Sequence, residues 1–266
     1  MEKPDFNNLT NEEWRAVLEG KHPELRRGRQ FFGMLPSNPR CKVCNAPFRG
    51  IGGMIMRRIG RGPFEKNPRF CEACLVFDEQ KGVEIEISML FADVRGSTSM
   101  AEKMGASDFT LLMNRFFDVA MKIFIRTDAW VDRLIGDEVV ALYIPGFAGP
   151  QHPLRAIEAA RSLLRQTGWS SGEKPWLPIG IGVHTGSAYV GLVGSEGGVC
   201  DLTAMGDAMN VTARLTEEAG AGEAFISEAA CLAAGYEVAN LERRHMELKG
   251  RAEPIEVRIL RLAEAV

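Results

Sequence analysis

Two acidic residues stand where strand-like runs give way to turns. Asp93 follows Phe91-Ala92 in the run Phe91-Ala92-Asp93-Val94-Arg95-Gly96-Ser97-Thr98, and Asp137 sits in Leu134-Ile135-Gly136-Asp137-Glu138-Val139-Val140. A fold that brings these carboxylates together makes an oxygen cage for hard divalent cations, which also bridge phosphates. Downstream, Asn210 and Arg214 lie four residues apart in Met205-Gly206-Asp207-Ala208-Met209-Asn210-Val211-Thr212-Ala213-Arg214, the spacing that puts both on one face of a helix. Together the three runs point to chemistry on a nucleoside triphosphate. Each has a plainer reading alone: Asp93 as the cap of a following turn, Asp137 as turn chemistry, Arg214 as a surface cation.

A second constellation is made of sulfur. Cys41-Lys42-Val43-Cys44 and Cys71-Glu72-Ala73-Cys74 are two C-x2-C pairs separated by residues 45–70, the spacing of one four-thiolate metal site. Four buried free thiols are the alternative. The second pair reads as entering a helix at Leu75-Val76-Phe77, whose N-terminal dipole would favour thiolates; the layout resembles a treble-clef zinc knuckle. One Zn2+ or one 4Fe-4S cluster uses the same ligand set. The intervening glycines could bring backbone donors to the sulfurs, and Phe48, Phe64, Phe70 and Phe77 could keep water from a cluster. Cys200 and Cys231 read as lone, buried thiols.

The elements that must position these groups divide near residue 82. Residues 1–82 are rich in glycine, arginine, proline and cysteine, with one clear helix: Thr10-Asn11-Glu12-Glu13 is a capping box opening a run to Leu18, stopped by Gly20. From residue 83 to 266, strand and helix periods alternate. Ile85, Ile87, Met89 and Phe91 predict a strand. Ser107 predicts the cap of a helix with Phe109, Leu112, Met113, Phe116, Phe117, Ala120, Ile123 and Phe124 on its apolar side. Trp130–Ile135 and Val139–Ile144 flank Gly136-Asp137 as a hairpin. A helix follows over about 153–165. Ile179, Ile181 and Val183 predict a strand that turns at Gly186-Ser187 and returns through Tyr189 to Val193. A helix over about 207–219 and a strand at Ile255, Val257 and Ile259 complete the pattern. The order is βαββαβ, an α+β, ferredoxin-like, antiparallel-rich sheet with helices, preceded by a small four-cysteine metal-binding domain.

Composition narrows the classes. The 266 residues are 45% hydrophobic and 25% charged, with net charge −3, ordinary for a globular chain. No apolar run reaches the ~20 residues of a membrane helix, and the polar N-terminus lacks a signal-peptide core, which predicts a cytoplasmic protein with reduced or metal-bound cysteines. The stretch from Lys21 to Arg69 is strongly basic. A nucleic-acid surface is one reading; a solvated face, or cations balancing an anionic cysteine–metal centre, is preferred. Neither Gly50-Ile51-Gly52-Gly53 nor residues 194–198 carry the lysine of a phosphate loop, so both read as turns. His184, within a strand pattern, reads as structural.

At these residues a family resemblance emerges. Residues 83–266 resemble the catalytic domain of class III nucleotidyl cyclases: Phe91–Thr98 is similar to the first metal motif, Ile135-Gly136-Asp137 to the second, Gly206–Arg214 to the transition-state motif, and Leu248-Lys249-Gly250 to the late lysine motif. The resemblance implies that Asp93, Asp137 and the Val94 backbone carbonyl hold two Mg2+ or Mn2+ ions. It implies that Asn210 orients the ribose, Arg214 stabilises phosphate charge and Lys249 binds the terminal phosphates. The reaction would convert ATP to 3′,5′-cyclic AMP and pyrophosphate. At the base-selecting positions stand Arg133, where adenylyl members commonly have lysine, and Thr203. No glutamate that would read guanine stands at the first, so ATP is favoured over GTP. The family implies a homodimer with shared active sites. Guanylate cyclase, or a catalytically weak nucleotide-sensing module of the same fold, is the alternative. The cysteine module is expected to regulate rather than catalyse.

Overall fold

A computed structural model describes residues 10–35, 38–64, 68–74, 82–170, 175–194, 200–237, 240–247 and 254–262. The chain forms two compact units. The first comprises Met1–Ile85, Ile144–Gly149 and Tyr189–Met205; the second comprises Glu86–Tyr143, Pro150–Ala188 and Gly206–Val266.

The first unit begins with α1 (Asn11–Leu18), where the capping box forms as expected: the Thr10 side chain accepts from the Glu13 N–H, and the Glu13 carboxylate accepts from the Thr10 N–H at 2.8 Å. Trp14, Val17 and Leu18 are its buried face. Helices α2 (Pro23–Gly33) and α3 (Gly50–Arg58) follow. Three arginines of the basic stretch are used internally. Arg29 donates to the carbonyls of Val43, Lys42 and Gly146, and Arg40 to those of Phe32, Leu35 and Asn45. Arg61 is 5% exposed. These three cations brace the cysteine loops from within.

Strand β1 (Gly82–Val94) leads into the second unit, followed by α4 (Ser97–Met104), α5 (Ala106–Arg126), β2 (Trp130–Ile135), β3 (Glu138–Tyr143), α6 (Pro145–Ala148), α7 (His152–Gln166) and β4 (Ile179–Gly194). Then come β5 (Cys200–Met205), α8 (Asp207–Glu218), β6 (Glu223–Ser227), α9 (Glu228–Ala234), β7 (Glu242–Met246) and β8 (Ile255–Leu260). The sheet order is β2-β3-β1-β4-β6-β8-β7, with β5 paired to β4. Its β2-β3-β1-β4 part, with α5 and α7 as crossovers, is the expected ferredoxin-like βαββαβ arrangement.

Why these residues form these elements follows from their periods. In α5 the buried positions Met113, Phe116, Ala120, Ile123 and Phe124 recur every three or four residues. Strand β3 is central, and Val139 to Tyr143 are all buried. Burial of a side chain of this kind contributes about 1.5–3 kcal/mol. On α8, Val211, Leu215 and Ala219 pack with Phe225, Met246, Val257 and Ile259. Gly182 on β4 lies hard against α8: a Cβ there would stand 2.4 Å from Thr216 Oγ1 and 2.6 Å from the Thr212 carbonyl.

One expectation fails. Gly186-Ser187 does not turn; β4 runs unbroken from Ile179 to Gly194. The buried positions change phase there, from Val183 and Thr185 to Ala188 and Val190, with Ser187 and Tyr189 exposed. Glycine is needed at 186 for a close approach instead, since a Cβ would sit 2.9 Å from His184 Nε2 and 3.3 Å from Ala208 Cβ. Helix α5 also starts one residue before Ser107, with Gly105 rather than Ser107 at its N-cap. Among the described residues, no helix is long and apolar enough to cross a membrane.

Candidate active site

The β1–β3 pairing sets Asp93 directly opposite Glu138. Gly136, at φ 61°, and Asp137 form the tight turn between β2 and β3, so Asp137 arrives beside the same pair. Asp137 is close enough to Asp93 for its negative charge to act on the Asp93 carboxyl. The Asp93 carboxyl is pushed up to about 6, first by burial and next by the negative charge of Asp137, with Arg95 opposing. Glu138 is pushed up as well, by burial and then by Asp93. Arg95 Nη2 stands 3.5 Å from Asp93 Oδ2. Three crowded carboxylates, opposed by Arg95 at Asp93 and by Arg133 at Glu138, gather negative charge at a strand edge. An oxygen-only donor set is suited to a hard divalent cation, whose charge would relieve the repulsion among these carboxylates. Val94, whose carbonyl was expected to assist, is buried at the end of β1.

Asn210 and Arg214 are exposed on one side of α8, while Ala208, Val211, Thr212 and Leu215 are buried on the other. Arg214 Nη1 pairs with Glu217 Oε2 at 2.6 Å. Arg95 donates to the Thr216 carbonyl at 2.6 Å and the Glu217 carbonyl at 3.2 Å, the last turn of α8. It therefore ties the loop after Asp93 to the helix that carries Asn210 and Arg214.

Arg133 lies on β2 opposite Val140, beside a register shift, and its Nε donates to Asp132 at 2.6 Å. The Asp132 carboxylate thus holds this arginine, whose side chain is still 46% exposed. Thr203 lies on β5 opposite Gly191 and belongs to the first unit. Lys249 falls outside the described residues. His184 Nδ1 is 2.8 Å from Ser227 Oγ, a structural contact as expected.

The four cysteines converge. Cys41, Cys44, Cys71 and Cys74 are all buried, and their sulfurs lie within 4.8 Å of one another. Phe48 and Phe70 are buried in the same unit. Cys74 ends a short 3-10 turn, Glu72–Cys74; the helix expected at Leu75-Val76-Phe77 lies outside the described residues. Cys231 is buried, and burial pushes its thiol up to about 12. The side chain of Cys200 is not among those described.

Sequence reasoning missed three residues at these sites. Glu138 adjoins Asp137, and Arg95 lies inside the first quoted motif, so proximity in sequence was an available signal for both. Arg61 carries none: nothing in its local sequence separates it from the neighbouring Arg57 and Arg58.

Comparison with known proteins agrees with this arrangement. Residues 80–260 match the family described as "Adenylate and Guanylate cyclase catalytic domain". An adenylate cyclase of Anabaena cylindrica is 31% identical over 137 residues, covering 48% of this chain and 26% of that protein. "Adenylate cyclase 1" of Rhizobium meliloti (strain 1021) is 27% identical over 135 residues, covering 49% and 20%. The chain thus spans about a quarter or less of the curated adenylate cyclases it matches. The crystal structure of the guanylyl cyclase Cya2 aligns with TM-score 0.58 and 27% identity, covering 69% of this chain and 95% of that one. The adenylyl cyclase CyaB of P. aeruginosa aligns with TM-score 0.58 at 23% identity, covering 68% and 96%, a likeness of fold. With more than half of its length matched by the family and the paired acids in place, the chain belongs to the adenylate and guanylate cyclase catalytic-domain family.

Proposed function

We propose that this chain is an adenylate cyclase, converting ATP to 3′,5′-cyclic AMP and pyrophosphate at composite sites of a homodimer. The observation that carries the reading is the convergence of Asp93 and Asp137, with the Asp93 carboxyl pushed up to about 6 first by burial and next by the charge of Asp137. Asp93, Asp137 and the Val94 carbonyl would hold two Mg2+ or Mn2+ ions. When bound, these supply positive charge to the triphosphate and favour loss of the ribose 3′ proton.

The remaining work belongs to side chains. Asn210 fixes the ribose so that the 3′-oxygen faces the α-phosphorus. Arg214 meets the charge that develops on the phosphate oxygens as the bond to the leaving pyrophosphate breaks. Lys249 holds the terminal phosphates. Arg133 offers only donors, which suits adenine N1 and not the N–H edge of guanine; Thr203 completes base recognition. Asn210 and Arg214 serve the acids of a second copy. Residues 1–82 form a metal-bearing module that orders or regulates the catalytic domain, residues 83–266.

The purified chain, incubated with Mn2+ and either ATP or GTP, should yield cyclic AMP from ATP and little cyclic GTP. Cyclic GTP as the main product would establish the guanylate alternative, and nucleotide binding without turnover the sensing one. Mixing inactive Asp93→Ala and Arg214→Ala proteins should restore activity. A mixture as inactive as its components would argue for sites contained in one subunit.

A further inference from the structure

Outside the catalytic domain, the cysteine cluster records what it holds. The first pair is wound into a tight turn. The Cys41 N–H donates to the Ala46 carbonyl at 2.8 Å and the Asn45 N–H to the Cys41 carbonyl at 2.8 Å, with Asn45 at φ 66° and a bridge from Arg40 to Pro47 closing the loop. The second pair follows a bridge between Pro63 and Cys71, and the Cys74 N–H donates to the Cys71 carbonyl at 3.0 Å. The Lys42 N–H donates to the Arg69 carbonyl at 2.9 Å, joining the two loops.

Size decides between a single ion and a cluster. Four thiolates on one zinc, at bonds of about 2.3 Å, stand about 3.8 Å apart at the corners of a tetrahedron. Cys44 Sγ and Cys71 Sγ are 3.7 Å apart, and no pair of the four exceeds 4.8 Å. A four-iron cluster binds each thiolate on a different iron and fills the space between the sulfurs with irons and sulfides. The enclosure here is too small for that.

Charge supplies a second, independent observation. Arg61 is buried, its Nη1 lies 3.6 Å from Cys44 Sγ, and its guanidinium lies over the Phe32 ring at 5.6 Å to the centroid. A guanidinium is always charged, and burying one against neutral thiols and a ring is costly. Four thiolates around a divalent ion keep a net charge of about −2, which gives the cation its partner. The Cys71 N–H, 3.3 Å from Cys41 Sγ, is a further donor to the same anion.

We propose that Cys41, Cys44, Cys71 and Cys74 bind one tetrahedral zinc ion in a closed, redox-inert site, with Arg61 as its buried counter-charge. The chain of residues 1–266, purified from cells, should be colourless and carry one zinc per chain by elemental analysis. Brown protein containing iron and acid-labile sulfide would overturn the assignment, as would protein folded without metal. For Arg61, the rate of zinc transfer to a chromogenic chelator should rise about tenfold in Arg61→Met and stay near the parent rate in Arg61→Lys. If Arg61→Met is insoluble while Arg61→Lys loads zinc, the need for charge is upheld. Equal rates in all three proteins, or failure of both variants to fold, would overturn the counter-charge role.

Discussion

At pH 7 the Asp93 carboxylate is ionised although burial and Asp137 together hold its pKa at about 6, so the metal-free site opposes the fold that contains it. Asp93→Asn should therefore abolish cyclase activity, by a thousandfold or more. The same change should raise the stability of the metal-free protein by about 1 kcal/mol, a figure that allows for screening at a half-exposed group. Thermal melts in chelator at pH 7 check this, and a lower midpoint for the variant would show that the acid is structural. His152 has the opposite linkage. Its Nδ1 is 2.9 Å from Ser88 Oγ, which also lies 2.7 Å from Thr185 Oγ1, and burial holds its pKa at about 4. The unfolded chain binds a proton near pH 6.5 that the folded chain refuses. This contribution is therefore present above pH 6.5 and is lost as pH falls towards 4, by about 3 kcal/mol. Urea midpoints between pH 7 and 4.5 should fall less steeply for His152→Asn than for the parent. At this scale the acids and cysteines were legible because their spacing is chemically specific. Arg61 and His152 were not, because burial among distant residues gives them their properties.

Helices and hairpins showed in the sequence where one face is buried and the other wet. The stripe of α5 and the Gly136-Asp137 turn are of this kind, and α8 begins at Asp207, where the sequence puts it. Three strands left no such trace. Strand β6, Glu223–Ser227, is short and nearly all buried, so its pattern does not alternate. Strand β7, Glu242–Met246, ends the sheet order and is exposed but for Met246, giving a charged run that reads as loop. Strand β5 pairs with β4 only beyond Gly186, which the sequence reading had made a turn. The contact between β4 and α8 is tight enough to test. Gly182→Ala forces a methyl into Thr216 and the Thr212 carbonyl and should cost about 2–3 kcal/mol in denaturant unfolding. An unchanged midpoint would mean that α8 shifts freely on the sheet.

For the whole molecule, a change in composition is what suggests a division near residue 82 in the sequence. The involvement of Ile144–Gly149 and Tyr189–Met205 in the first unit was not visible there, because those segments are distant in sequence and carry ordinary strand and turn residues. Stripping zinc with a strong chelator should expose the first unit to protease before the second, since its cysteine loops are joined by few backbone bonds. Simultaneous cleavage of both would show that the ion does not hold that unit. Arg95 has a different reach. It touches Asp93 and grips the last carbonyls of α8, yet in a composite dimer that acid and that helix serve opposite pockets. In that arrangement one guanidinium would join the acid of one pocket to the helix of the other. Rate against ATP concentration should depart from a simple hyperbola, and Arg95→Gln should return it to one.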